Sequence, residues 1–234
     1  MSRNRIIRPP FFEIGPKSYL VGDEVLELAL FADAASKKYD VDIIFTAPLI
    51  DIRRIVEATE RIFVFAPHMD PITIGRGLAD TLAESVVAAG AHGVMLNHVE
   101  KPLTLATLNR SIKRAREVGL MTIVCTDTIE EAQAVAHLRP TIIVAEPSEL
   151  IGTGKPSDMD YVLASIEAVK SVNPDILVLQ GAGISNGKNV YDVIIAGAEA
   201  TGSSSGVVKA PNREAMVDEM IHNAREAFNK RTSK

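Results

Sequence analysis

The chain has a single cysteine, Cys125, inside the apolar run TIVC. One thiol forms no internal disulfide, which excludes a small disulfide-stapled scaffold and suits a reducing cytoplasm. A free cysteine within such a run reads as a small core residue. No run approaches the roughly 18 apolar residues that a membrane span needs. The opening MSRNRIIRPP carries Arg3, Arg5 and Arg8 with no apolar stretch behind them, so residues 1–10 read as a solvated basic tail and not as a secretory leader. Positive charge is not in excess either. The formal net charge is -5, which leaves no general basic field for nucleic acid. A G-x-G-x-x-G loop is missing after the first apolar run, where EIGPKSY stands, and this argues against a dinucleotide-binding doubly wound sheet. No linker or composition break divides the chain.

What is present is a 234-residue chain, 47% hydrophobic and 24% charged, long enough for a sizeable core. Short apolar runs alternate with longer helical patterns. The runs predict strands over 11–14, 41–47, 62–66, 93–97, 122–126, 141–146, 176–180 and 199–204, the last small and polar. Most lack strict alternation, as expected of parallel strands covered on both faces. A helical pattern follows each strand. Leu105, Leu108, Ile112, Ala115 and Val118 recur at spacings of three and four and fall on one helix face, and Gly119 stands where that helix should stop. Thr128 and Glu131 have the spacing of a capping box ahead of the next helix. Further helices are expected over about 22–38, 51–60, 79–89, 159–171, 187–196 and 211–228. Eight strand–helix units in strict alternation predict a single-domain (β/α)8 barrel over residues 11–234.

In such a barrel the chemistry sits where strands end and the following loops begin. The first strand ends in Gly15-Pro16-Lys17, the fourth in Asn97-His98-Val99-Glu100 and the sixth in Glu146-Pro147. The seventh ends in Gly181-Ala182-Gly183-Ile184-Ser185 and the eighth in Ser203-Ser204-Ser205-Gly206. Lysine, histidine and glutamate thus meet at one mouth, opposite two Gly/Ser-rich turns. An acid closing an apolar strand needs a partner or a function. Turns of this composition hold phosphate on backbone N–H groups. Strand six ends in Glu146 and not in a lysine, which disfavours Schiff-base chemistry. His68 and Asp70 are close in sequence but lack an evident third ligand for a metal.

The segments AEPSELIGTG, LNHVEKP, QGAGIS, SSGVVKA and FAPHMDP together resemble the triosephosphate isomerase family in its short archaeal-type form. The similarity runs from about Ile14 to the last helix. It implies a cytoplasmic aldose–ketose isomerase of glycolysis and gluconeogenesis, without cofactor, acting on a small sugar phosphate and assembling as a homodimer or homotetramer. By the resemblance Glu146 is the base, His98 the neutral electrophile and Lys17 the positive charge beside the enediolate, with Glu100 supporting Lys17. Ile151, Gly152, Gly183, Ser204 and Ser205 match phosphate-holding positions, with Ile151–Gly154 as a lid. Four departures surround the lysine. Gly15 stands where the family has Asn, Val99 where it has Ser, Pro67 where it has Gln, and Lys101-Pro102 where it has paired arginines. The Thr-Gly contact of the third loop is also not visible in TIGRGLAD. Gly15 is expected to leave a void beside Lys17, which opens an alternative: the same isomerisation on a tetrose or larger sugar phosphate. A phosphosugar-binding protein without turnover is the other alternative.

Overall fold

The computed structural model describes residues 5–233. Its strands are β1 (Phe11–Ile14), β2 (Asp42–Thr46), β3 (Phe63–Ala66), β4 (Gly93–Leu96), β5 (Met121–Thr126), β6 (Ile142–Ala145), β7 (Leu177–Gln180) and β8 (Ala200–Gly202). All pair in parallel with their sequence neighbours, and β1 pairs with β8, so the sheet closes as a barrel. The helices are α1 (Asp23–Tyr39), α2 (Ile52–Ala58), α3 (Ala83–Ala88), α4 (Leu105–Glu117), α5 (Ile129–Ala136), α6 (Met159–Val172), α7 (Gly187–Ala196), α8 (Ser205–Val208) and α9 (Arg213–Thr232). The expected (β/α)8 barrel is therefore the observed fold. No helix among the described residues is long and apolar enough to cross a membrane.

Two apolar layers explain the doubly buried strands. Phe12, Ile14, Ile43, Phe45 and Val64 point outward against the helices. Phe11, Ile44, Phe63, Phe65, Ile123, Ile142, Val144 and Leu179 point inward and fill the barrel. Alternate residues of a strand share a face, so the inward set that starts at Phe11 continues to Glu13, and the set through Ile142 and Val144 continues to Glu146. Five phenylalanines, Phe11, Phe12, Phe45, Phe63 and Phe65, are among the largest fully buried side chains. Truncating one to alanine typically costs about 3–5 kcal/mol.

Residues 5–10 of the expected tail lie against the floor of the barrel. Ile7 is buried, the Arg5 guanidinium lies 4.0 Å above the Phe63 ring, and Arg8 N–H donates to Asp42. Arg3 lies outside the described residues. At the ring's seam α9 packs on α1 and α7, with Lys38 and Tyr39 both bonded to Asp218.

Local signals act as expected, with small shifts. Gly119 has φ 79 and ends α4. At α5 the Thr128 hydroxyl accepts from Glu131 N–H, but the Glu131 carboxylate accepts from Asp127 N–H and not from Thr128. The helix expected over 79–89 covers only 83–88, because residues 70–82 form a long connection. The Ser-rich segment after β8 turns into the short α8 before α9 begins.

Candidate active site

A cavity of about 540 Å³ opens at the C-terminal ends of the strands. It is within the range that holds a small ligand. Lys17, His98, Glu100, Glu146, Gly15, Ile151, Gly152, Gly183, Ser204 and Ser205 all line it. The barrel thus gathers around one cavity the residues that the sequence supplies from the ends of β1, β4, β6, β7 and β8.

Glu146 follows β6 and turns inward as the alternation requires. Its Oε1 accepts the Ala182 N–H at 3.2 Å, and its Oε2 lies 4.0 Å from His98 Nε2. Burial raises the pKa of its carboxyl, opposed by Lys17 and by the Ala182 N–H. A raised pKa makes the ionised carboxylate a stronger base. Gly181 is what lets it lie there: a Cβ on Gly181 would stand 2.8 Å from Glu146 Cβ.

His98 lies in the turn after β4. Its Nδ1 accepts the Glu100 N–H at 3.1 Å. An acceptor nitrogen carries no proton, so in the neutral ring the proton is on Nε2, which faces Glu146. Burial and Lys17 both hold the imidazole below its ordinary pKa, against Glu100. The Glu100 carboxylate at 3.7 Å from Nδ1 is therefore a neighbour of a neutral ring and not half of an ion pair. The donor to Nδ1 belongs to a turn four residues or more ahead of α4, so no helix terminus contributes it.

Lys17 has φ 49, a left-handed conformation that costs a non-glycine residue free energy and persists where the surroundings impose it. Its Nζ lies 3.6 Å from Glu100 Oε1. Ala182, at the rim opposite, has φ 65. The wall facing the charged residues is made by the turns after β7 and β8. Here Ser203 N–H donates to Glu13 C=O, while Gly183 and Ser204 N–H groups have no acceptor among the described residues. The 148–154 segment is pinned at its start, where Ser148 N–H and Oγ both donate to Asp127. Gly152 and Gly154 then take φ 74 and 73. The segment ends against Gly183, where any side chain would meet Lys155 C=O at 1.9 Å.

The family model described as triosephosphate isomerase matches residues 17–218. The chain belongs to the triosephosphate isomerase family. It is 40% identical over 204 residues to the triosephosphate isomerase of Methanocaldococcus jannaschii, covering 86% of this chain and 93% of that one. To that of Methanosarcina mazei it is 36% identical over 217 residues, covering 91% and 97%. To that of Sulfolobus acidocaldarius it is 36% identical over 230 residues, covering 96% and 99%. Family membership makes the chain an isomerase of the aldose–ketose kind.

One expectation fails. Gly15 leaves no void beside Lys17, because a Cβ there would stand 3.0 Å from Glu13 Oε1 and 3.5 Å from Ser204 Oγ. The carboxyl of Glu13 fills that space. Glu13 was not among the residues read from the sequence as site residues. The available signal was an acid inside the apolar run FFEI, the same signal that marks Glu146. His68 pairs with Asp70 at 3.2 Å, and the other Asp70 oxygen takes the Thr81 N–H. Cys125 is buried, as expected, on the cavity wall.

Proposed function

We propose that the chain interconverts glyceraldehyde 3-phosphate and dihydroxyacetone phosphate. The observation that carries this is the convergence of Lys17, His98 and Glu146 on one cavity facing the two Gly/Ser turns. The substrate phosphate binds the turns at Gly183 and Ser204–Ser205. The ionised Glu146 removes a proton from the carbon beside the carbonyl, and the electron pair moves onto the carbonyl oxygen. His98 Nε2–H hydrogen bonds that oxygen and relays protons between the two oxygens, and Lys17 offsets the developing charge. Glu146 returns its proton to the neighbouring carbon, which completes the isomerisation with no net change in protons. Ile151 and Gly152 close over the phosphate and keep water from the enediolate. With Glu13 in the space beside Gly15, no room favours a longer sugar. A coupled assay on triose, tetrose and pentose phosphates tests the reading. Triose turnover well above the others is expected, and preference for a longer substrate would overturn it.

The same reading includes a homodimer or homotetramer. It is supported by an apolar rim on the loops around the site mouth: Ile50, Ile74, Leu78 and Val99 are all exposed. Light scattering at micromolar concentration should give a particle larger than the 25.2 kDa chain. The single thiol supports a cytoplasmic location.

A further inference from the structure

Glu13 is a buried carboxylate on the cavity wall that the mechanism above leaves unused. The inward face of β1 carries it above Phe11. Its side chain lies between two glycines: Gly15, and Gly202 on β8, where an added Cβ would meet Glu13 Cβ at 3.0 Å and Oε2 at 3.2 Å. Oε1 accepts the Thr46 hydroxyl at 2.6 Å. Oε2 has no hydrogen-bond partner among the described residues. It borders the cavity that Lys17 and Glu146 also line.

The charges facing Glu13 decide its state. Lys17, in the turn after β1, favours the anion, while Glu146, after β6, opposes it. β2 brings only the Thr46 hydroxyl to it, and β8 only Gly202. Burial outweighs the favourable partners and pushes the carboxyl up to about 7. A bound phosphate and a nascent enediolate add further negative charge and favour the neutral acid more. A neutral carboxyl has one acceptor oxygen and one O–H donor. The acceptor is already used by Thr46, so the donor is the atom that faces the cavity.

We propose that Glu13 is a substrate-contacting residue of this site: Oε1 is held by Thr46, and the Oε2 hydroxyl, from the space beside Gly15 that the carboxyl fills, donates a hydrogen bond to the sugar-phosphate oxygen that gains charge in the enediolate. The assignment rests on the isomerase reading above and deepens it. It gives the site a neutral donor in place of the amide that the family has at position 15. The proton stays on Glu13 throughout, so its role is stabilisation and not transfer.

The test compares wild type with Glu13→Met, which keeps the length and removes the donor, and Glu13→Gln, which keeps a donor that cannot ionise. The probe is 2-phosphoglycolate, whose planar carboxylate beside a phosphomethyl group copies the shape and charge of an enediolate. Inorganic phosphate reports on the turns alone. Calorimetry should show Glu13→Met weakening phosphoglycolate about tenfold or more, as expected for a lost hydrogen bond to a charged group, with inorganic phosphate unaffected. Glu13→Gln should lose less, and its affinity should no longer fall as pH rises through about 7. Infrared spectra of the wild-type complex should contain a protonated-carboxyl band that Glu13→Gln removes, a readout that stands even if Glu13→Met does not fold. Equal phosphoglycolate affinity in Glu13→Met and wild type, or the absence of such a band, overturns the assignment. Triose phosphate turnover on the same samples separates the two readings. An active wild type with an indifferent Glu13→Met removes Glu13 and leaves the isomerase. An inactive wild type with Glu13-dependent phosphoglycolate binding does the reverse.

Discussion

Gly181 and Glu146 compete for one space: the side chain that Gly181 lacks would stand 2.8 Å from Glu146 Cβ and 3.0 Å from its Cδ. The proposed base is therefore positioned by an absence on the neighbouring strand end. Gly181→Ala should push the carboxylate away from His98 and lower kcat about a hundredfold, the usual scale for a misplacement of about 1 Å. Overpacking should cost only about 1–3 kcal/mol of stability. Steady-state kinetics beside thermal unfolding checks this, and an unchanged kcat would refute it.

Replacing the proposed base itself gives the reference value. Glu146→Gln keeps the shape and the Ala182 contact but cannot take a proton. Turnover should fall by about 10³, within the span of acid–base effects, while inorganic phosphate still binds.

His98 is expected to be neutral with its proton on Nε2. Its folded pKa is below the ordinary 6.5, so the ring stays uncharged from that pH upward and protonates only at lower pH. Nitrogen-15 spectra near neutral pH should show one protonated and one bare nitrogen, the bare one coupled to the turn at Glu100. A doubly protonated ring at pH 7 in the liganded protein would contradict the electrophile role.

Glu13 should also leave a mark on stability. Its pKa is raised from the ordinary 4.5 to about 7 in the folded state. Between those values the folded chain binds more protons than the unfolded one, so its contribution is fully present below 4.5 and is lost as pH rises through about 7. Urea unfolding of wild type and Glu13→Gln across this window should give a difference that shrinks with rising pH and then levels off. Asp33, Asp70 and Asp218, whose pKa values are lowered, slope the other way but are common to both proteins and cancel.

The 148–155 segment should tighten on anion binding. It is tied at Asp127 and at Gly183, with positive-φ glycines between. Saturating inorganic phosphate should raise amide protection across it and raise Tm by mass action. No change in protection would count against closure.

The barrel was legible because its units repeat. Apolar runs, capping residues such as Thr128, and stop glycines such as Gly119 are local signals. The trio proposed to be catalytic was legible because each member follows closely on a strand end. What failed depended on neighbours distant in sequence. The emptiness expected beside Gly15 was a statement about one residue, whereas the space belongs equally to Glu13, Thr46 and Ser204. Glu13 itself was hidden because a strand buried on both faces does not alternate in polarity. Nothing within FFEI says which side faces the barrel axis until closure against β2 and β8 fixes it. The start of α8 was missed because a run of serines and glycine has no helical period.

The seam where the ring closes runs through β1 and β8, and Glu13 sits in it between Gly15 and Gly202. β8 is the last of the strands in chain order, so a chain that has not reached it lacks the Gly202 surface against which this carboxyl is packed. No N-terminal fragment, however long, that stops short of Gly202 contains the desolvated pocket. The last strand and its turn thus act as the keystone of the cavity as well as of the barrel: a chain that ends before them carries the lysine, the histidine and the glutamate, but not the 202–205 wall that faces them.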